Sequence, residues 1–132
     1  FSSIFTGSRT GKNPWRFFME DELKVNVFEF VKDPLPEGRT SDDGKGADDL
    51  RAYLLDNWEK YQKIVVSFDG IVKMSRVFID EAFAKILDEY TVEEFNRRMY
   101  FPDAKEGTLK AMNAAFKLRM KITKAARERE EI

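Results

Sequence analysis

"IVVSFDGIVKMSRVFIDEAF", residues 64–83, decides how the rest of the chain is read. Ile64, Val65, Val66 and Phe68 are apolar on both faces of an extended backbone, the pattern of a central strand covered from both sides. Residues 63–70 are therefore predicted to be an interior strand, closed by the turn-forming Asp69-Gly70 pair. Ser75 then stands where a helix cap belongs. Beyond it Phe78, Ala82, Phe83, Ile86, Leu87 and Tyr90 fall on one helical stripe that would lie on the sheet. Asp80 and Glu81 interrupt this greasy stretch. They occupy the first turn, where the helix dipole favours anions, and a rotation of about 100° per residue swings them toward the helix flank or solvent. Three readings stay open: surface acids that steady the helix, contacts to a partner, or a general acid or metal ligand. Adjacent residues on a helix diverge, which counts against their converging on one ion.

Working toward the N-terminus, "LKVNVFEFV" (23–31) reads as another strand, with Leu23, Val25, Val27 and Val31 on one face and Phe28 and Phe30 on the other. The Pro- and Gly-rich "KDPLPEGRTSDDGKG" that follows is loop chemistry. Residues 47–61 keep helical spacing at Leu50, Tyr53, Leu54, Trp58 and Tyr61. Residues 1–22 show no sustained period and read as an arm or as extra strands. Their Phe1, Ile4, Phe5, Trp15, Phe17 and Phe18 make them a candidate surface for a homodimer. Toward the C-terminus, "TVEEFNRR" is a short helix capped by Thr91, with Glu94 as the reciprocal partner. "RMYFP" is an edge strand stopped by Pro102. A last helix from Gly107 or Thr108 carries Leu109, Met112, Phe116 and Met120 on one face and ends in an exposed charged segment, 123–132. The predicted organisation is an arm at 1–22, an α/β domain at 23–122 and the charged helix end. Its small mixed sheet would have about four to five strands, with helices packed on both faces.

The 132 residues suffice for a single core, with twelve Phe to fill it and 36 % charged residues to solvate the exterior. No apolar stretch nears the roughly 18 residues of a membrane span and no signal segment opens the chain, so a cytoplasmic location is expected. The opening Phe1 in place of Met suggests a trimmed piece of a longer protein. There is no Cys, which removes disulfides, thiolate nucleophiles and Cys-based zinc sites. There is also no His, so Ser-His-Asp and Cys-His chemistry and imidazole-ligated metals are excluded. No catalytic residue, metal ligand or cofactor is assigned, and a non-enzyme is expected.

Three other segments invite a functional reading. "SDDGKG" (41–46), ahead of a helix, is a candidate phosphate or nucleotide cradle with Arg39, Asp42, Lys45 and Glu81 around it. It lacks the Ser or Thr that follows the P-loop lysine, and Asp42 and Asp43 repel phosphate. A calcium loop is excluded because its acids are paired, not alternating. The C-terminal Lys117, Arg119, Lys121, Lys124, Arg127 and Arg129 could hold nucleic acid. They are spread around the helix and diluted by Glu128, Glu130 and Glu131.

The order "PEGRTSDDGKGADDLRAYLL", "KIVVSFDGIVKMSRVFIDEAFAKIL", "TVEEFNRRMYFPD" resembles a bacterial family of STAS-like domains of unassigned function. The resemblance covers about residues 23–120. It rests on Pro36, Gly38 and Arg39; Gly44 and Gly46; Arg51; Asp69 and Gly70; and above all "FIDEAF" (78–83). It implies a relative of the sulfate-transporter and anti-sigma-factor-antagonist fold, and a regulatory module that binds another protein such as a kinase-like ATPase or regulator. In better-known cousins a Ser at this helix start is phosphorylated by a partner kinase. Here the Ser-Ser of the pattern is Arg76-Val77, and Ser75 lies one residue earlier. The partner-facing residues that this implies are Ser75, Arg76, Asp80, Glu81 and Arg39, with Ser75 as the phosphorylation candidate.

Overall fold

The computed structural model describes residues 20–130. The apolar run at 64–68 lies at the centre of its sheet. Strand β2 (Tyr61–Ser67) pairs in parallel with β1 (Glu20–Asn26) on one side and with β3 (Met99–Tyr100) on the other. Leu23 lies opposite Ile64, Val25 opposite Val66 and Ile64 opposite Met99, so these five side chains share one face. Lys24, Val65 and Tyr100 belong to the other.

Parallel neighbours need crossovers. Helix α2 (Ala47–Asp56) joins β1 to β2; α3 (Arg76–Ala82), a 3-10 turn (Ala84–Asp88) and α4 (Val92–Arg98) join β2 to β3. The strands are laid down in one direction, so right-handed crossovers put both connections on the same side of the sheet. That side is the Ile64 face, where Ile64, Val66 and Met99 are wholly buried against Leu50, Leu54, Phe78 and Ile79. On the other face Val65 is half-buried and Tyr100 buried. Helix α5 (Glu106–Glu130) packs on α3 and the 3-10 turn, inserting Met112 and Phe116 into the core. Phe68 stacks on Phe101 at 5.6 Å, and Phe95 meets Phe116 edge-on at 5.1 Å.

The α/β class stands, but among the described residues the sheet has three parallel strands, not four or five in a mixed sheet. The extra strands expected in 1–22 fall on residues outside those described, except that Glu20–Glu22 extend β1. The strand read at 23–31 stops at Asn26, and Val27–Val31 form a helical turn, α1. Asn26 Oδ1 accepts the Glu29 amide at 2.7 Å, and Lys32, left-handed at φ 59°, returns its amide to the Phe28 carbonyl. Two local caps thus override the β preference of Val27, Phe28 and Val31. Gly70 (φ 96°) leaves room for this turn: a Cβ there would lie 2.8 Å from Phe28 Cγ.

The helix expected at 47–61 ends at Asp56, so Tyr61 opens β2. Trp58, fully buried between them, stacks on Tyr90 at 4.8 Å. The long stripe from Phe78 to Tyr90 is broken at Phe83 (φ −121°, ψ −50°), and the 3-10 turn carries Ile86 and Leu87 inward instead. Both expected serine and threonine caps form. Ser75 Oγ accepts the Phe78 amide at 3.0 Å and Thr91 Oγ1 the Glu94 amide at 3.1 Å. The Glu94 carboxylate turns to Arg98, which also holds the carbonyls of Trp58 and Tyr61. No helix among the described residues is long and apolar enough to cross a membrane.

Candidate functional site

The start of α3 is held by a strap, residues 34–37. The Val72 amide donates to the Pro34 carbonyl at 2.7 Å and the Ser75 amide to the Pro36 carbonyl at 3.1 Å. The Ser75 hydroxyl donates to the Glu37 carbonyl at 2.5 Å. This strap carries Arg39 across α3.

Asp80 and Glu81 diverge as neighbours on a helix must, yet Arg39 Nη1 reaches both, at 2.8 Å to Asp80 and 3.0 Å to Glu81. On its other side Asp80 receives a two-pronged contact from Arg119 of α5, Nε to Oδ1 at 3.0 Å and Nη2 to Oδ2 at 2.6 Å. Glu81 receives Arg51 of α2 at 2.5 Å and Lys85 at 2.8 Å, and Arg51 also donates to the Glu81 carbonyl. Four cations and two carboxylates, drawn from the strap's far end, α2, α3, the 3-10 turn and α5, form one network.

Glu81 is 5 % exposed, so the expectation that both acids face flank or solvent is corrected for this residue. Burial alone would raise its carboxyl, but hydrogen bonds from Lys85, Arg51 and Arg39 outweigh that and hold it at about 2. Burial acts on Asp80 in the same sense, and Arg119 and Arg39 likewise win and lower it. Both stay ionised near neutrality and make poor proton carriers there. Their chemistry is that of a crosslink. The side with chemistry to spare is cationic: with Asp88, which lies 4.0 Å from Arg119, the cluster holds four positive charges against three negative. Arg39, with a 44 % exposed side chain, is its most accessible member.

Of the five partner-facing candidates, the structure gathers Arg39, Asp80 and Glu81 into this network and turns the Ser75 hydroxyl inward. Arg76 stays exposed. Around it lie exposed apolar side chains, Val72 at 76 %, Leu35 and Val77. Sequence reasoning missed Lys85 and Arg119 as members of the cluster and gave Arg51 no role. The i,i+4 spacing of Glu81 and Lys85 was a usable signal. Arg119 lies 39 residues from Asp80, and nothing local marks it. It is one of the cations spread around the last helix, and it points inward.

In and just after loop 41–46, several backbone amides are bound within the chain. Lys45 N–H goes to Asp43, Gly46 N–H to Asp49 at 2.9 Å, and Asp48 N–H to the Arg39 carbonyl. Gly46 is required by crowding, since a Cβ there would sit 2.6 Å from the Ser41 nitrogen. Among the described residues no group of three or more Asp or Glu is placed to hold a metal ion.

A parallel sheet with both crossovers on one face, and two adjacent acids of α3 clamped by basic residues from a loop, α2, the 3-10 turn and α5, define a small α/β domain. Residues 46–108 match the model of a family described as a STAS-like domain of unknown function. The match takes in Gly46, Arg51, Asp69, Gly70 and "FIDEAF", and leaves Arg39 and Arg119 outside it. No curated protein and no solved structure matches the chain at a significant level.

Proposed function

We propose that this domain is a non-catalytic, cytoplasmic regulatory module that docks another protein, a kinase-like ATPase or a regulator, through the loop at residues 71–77 and the start of α3. One observation carries the reading. The acids that chemistry would need are consumed by internal cations, while the loop beside them exposes Val72, Val77, Leu35 and Arg76. Apolar side chains ringed by Arg39 and Arg76 suit a partner surface that is apolar at its centre and acidic at its rim. The Lys45 and Gly46 amides, already bound to Asp43 and Asp49, favour this over a phosphate cradle.

The test uses the immobilised full chain in extracts of the source cell, beside the double variant Val72→Glu, Val77→Glu. A partner held by the native chain and lost by the variant, with circular dichroism unchanged, is the expected result. In parallel, melting temperature is screened against nucleotides and divalent ions. A saturable rise that disappears in Arg39→Ala would overturn the reading, because a ligand of the folded state must stabilise it.

A further inference from the structure

Residues 124–130 of helix α5 are exposed, with Lys124, Arg127 and Glu128 bordering an open groove across from Tyr90 and Val92. On the flank turned away from Met112 and Phe116 lie Leu118 and Ile122, 61 % and 46 % exposed and one turn apart. They are not isolated. Ala111, Ala115, Leu118, Ile122, Ala125 and Arg129 follow the alternating four-and-three spacing of a heptad seam, the pattern by which one helix packs on another. Ala115 already leans on the domain, so the open part of the seam runs from Leu118 to Arg129.

We propose that this seam is covered by the same seam of a second copy, running antiparallel across a two-fold axis between Ile122 and Ala125. In that register Ile122 packs against Ala125 of the partner subunit, and Leu118 against the aliphatic stem of Arg129 of the partner subunit. The solvent-side flank decides the direction. Lys121 then faces Glu128 of the partner subunit, and the two-fold axis makes that contact twice. A parallel pair would set Lys121 against alanine at 126 and bring the two Arg129 side chains together. The inner flank offers Ala126, small enough to clear Arg119, which is committed to Asp80. The surface is distinct from the loop at 71–77. A seam of about three turns is small for a specific interface, so a dissociation constant of roughly 10 µM is expected.

Sedimentation equilibrium of the full chain from 1 to about 200 µM reads this directly. The expected result is a reversible dimer that Leu118→Glu with Ile122→Glu weakens more than about tenfold while melting temperature and circular dichroism hold. Lys121→Glu weakens it several-fold, and adding Glu128→Lys restores it. Direction is read by disulfide formation, which the cysteine-free chain makes clean. Ile122→Cys mixed with Ala125→Cys should crosslink faster than either alone. A native chain monomeric throughout, a dimer indifferent to the Leu118 and Ile122 changes, or fastest crosslinking of Ile122→Cys with itself would each overturn the proposal. So would a monomer that uses Leu118 to hold a different protein.

Discussion

Glu81 is the residue on which the largest single effect is expected. Its carboxylate is buried and contacts three cations, and removing one side of a buried ionic contact leaves the other charges uncompensated. Glu81→Ala should lose about 3–5 kcal/mol of stability. Glu81→Gln keeps the volume and part of the hydrogen bonding and should lose about 2–3 kcal/mol, both read from urea unfolding at neutral pH. A purely surface acid at the same helix position would lose well under 1 kcal/mol, so the size of the change separates the two roles. The sequence places this residue in the right helix but in the wrong turn. Helix α3 begins at Arg76 and has no acid in its first turn, so Asp80 and Glu81 stand in its last turn, away from the positive end of the dipole. What the sequence hides as well is the burial. A helical stripe tells which side chains face the sheet, but Arg39, Arg51 of α2 and Lys85 close over the flank that a lone helix would leave wet.

The elements differ in how openly the sequence declares them. Strand β2 was legible because four apolar side chains on both faces of a short run admit few alternatives, and the caps Ser75 and Thr91 were legible because a hydroxyl before an amphipathic stretch has a local job. The turn α1 was misread, since Val27, Phe28 and Val31 prefer strands. Asn26 followed three residues later by Glu29 is nonetheless a helix-start signature, and it outweighed that preference here. The strap at 34–37 left no trace in periodicity, because its backbone bonds do not depend on side-chain type. Its weak point is Ser75, whose hydroxyl both caps α3 and donates to Glu37. Ser75→Ala should therefore lose about 1–2 kcal/mol. Ser75→Asp supplies a capping acceptor but no donor, and sets an anion against the Glu37 carbonyl. Hydrogen exchange is expected to quicken at the Val72 and Ser75 amides in Ser75→Asp while the Phe78 amide stays protected. Equal protection in the native chain and Ser75→Asp would show that the strap holds without the hydroxyl.

For the whole molecule, the cluster joins pieces that the hydrophobic core brings near but does not fix in register. Arg39 comes from a loop, Arg51 from the first crossover, Arg119 from the last helix, and all converge on two adjacent acids of α3. Such convergence is a property of topology, which is why composition and spacing could locate the acids and not their partners. It also fixes how stability depends on pH. The folded state holds Glu81 at about 2 against an ordinary 4.5, and holds Asp80 below 3.8, so on acidification the unfolded chain takes up protons first. The contribution of both groups is fully present above about pH 5 and drains away as pH falls toward 2. Arg39 and Arg119, whose pKa these carboxylates raise, keep their charge throughout that window, so the loss lies with the carboxylates. Melting temperature should be flat from pH 7 to 5 and fall steeply from 5 to 2. Glu81→Gln, already less stable at neutrality, should fall less steeply over the same range, and the two curves should draw together near pH 2. Parallel curves would mean that Glu81 is no more ionised in the folded chain than in the unfolded one, and that the cations around it are held by something else.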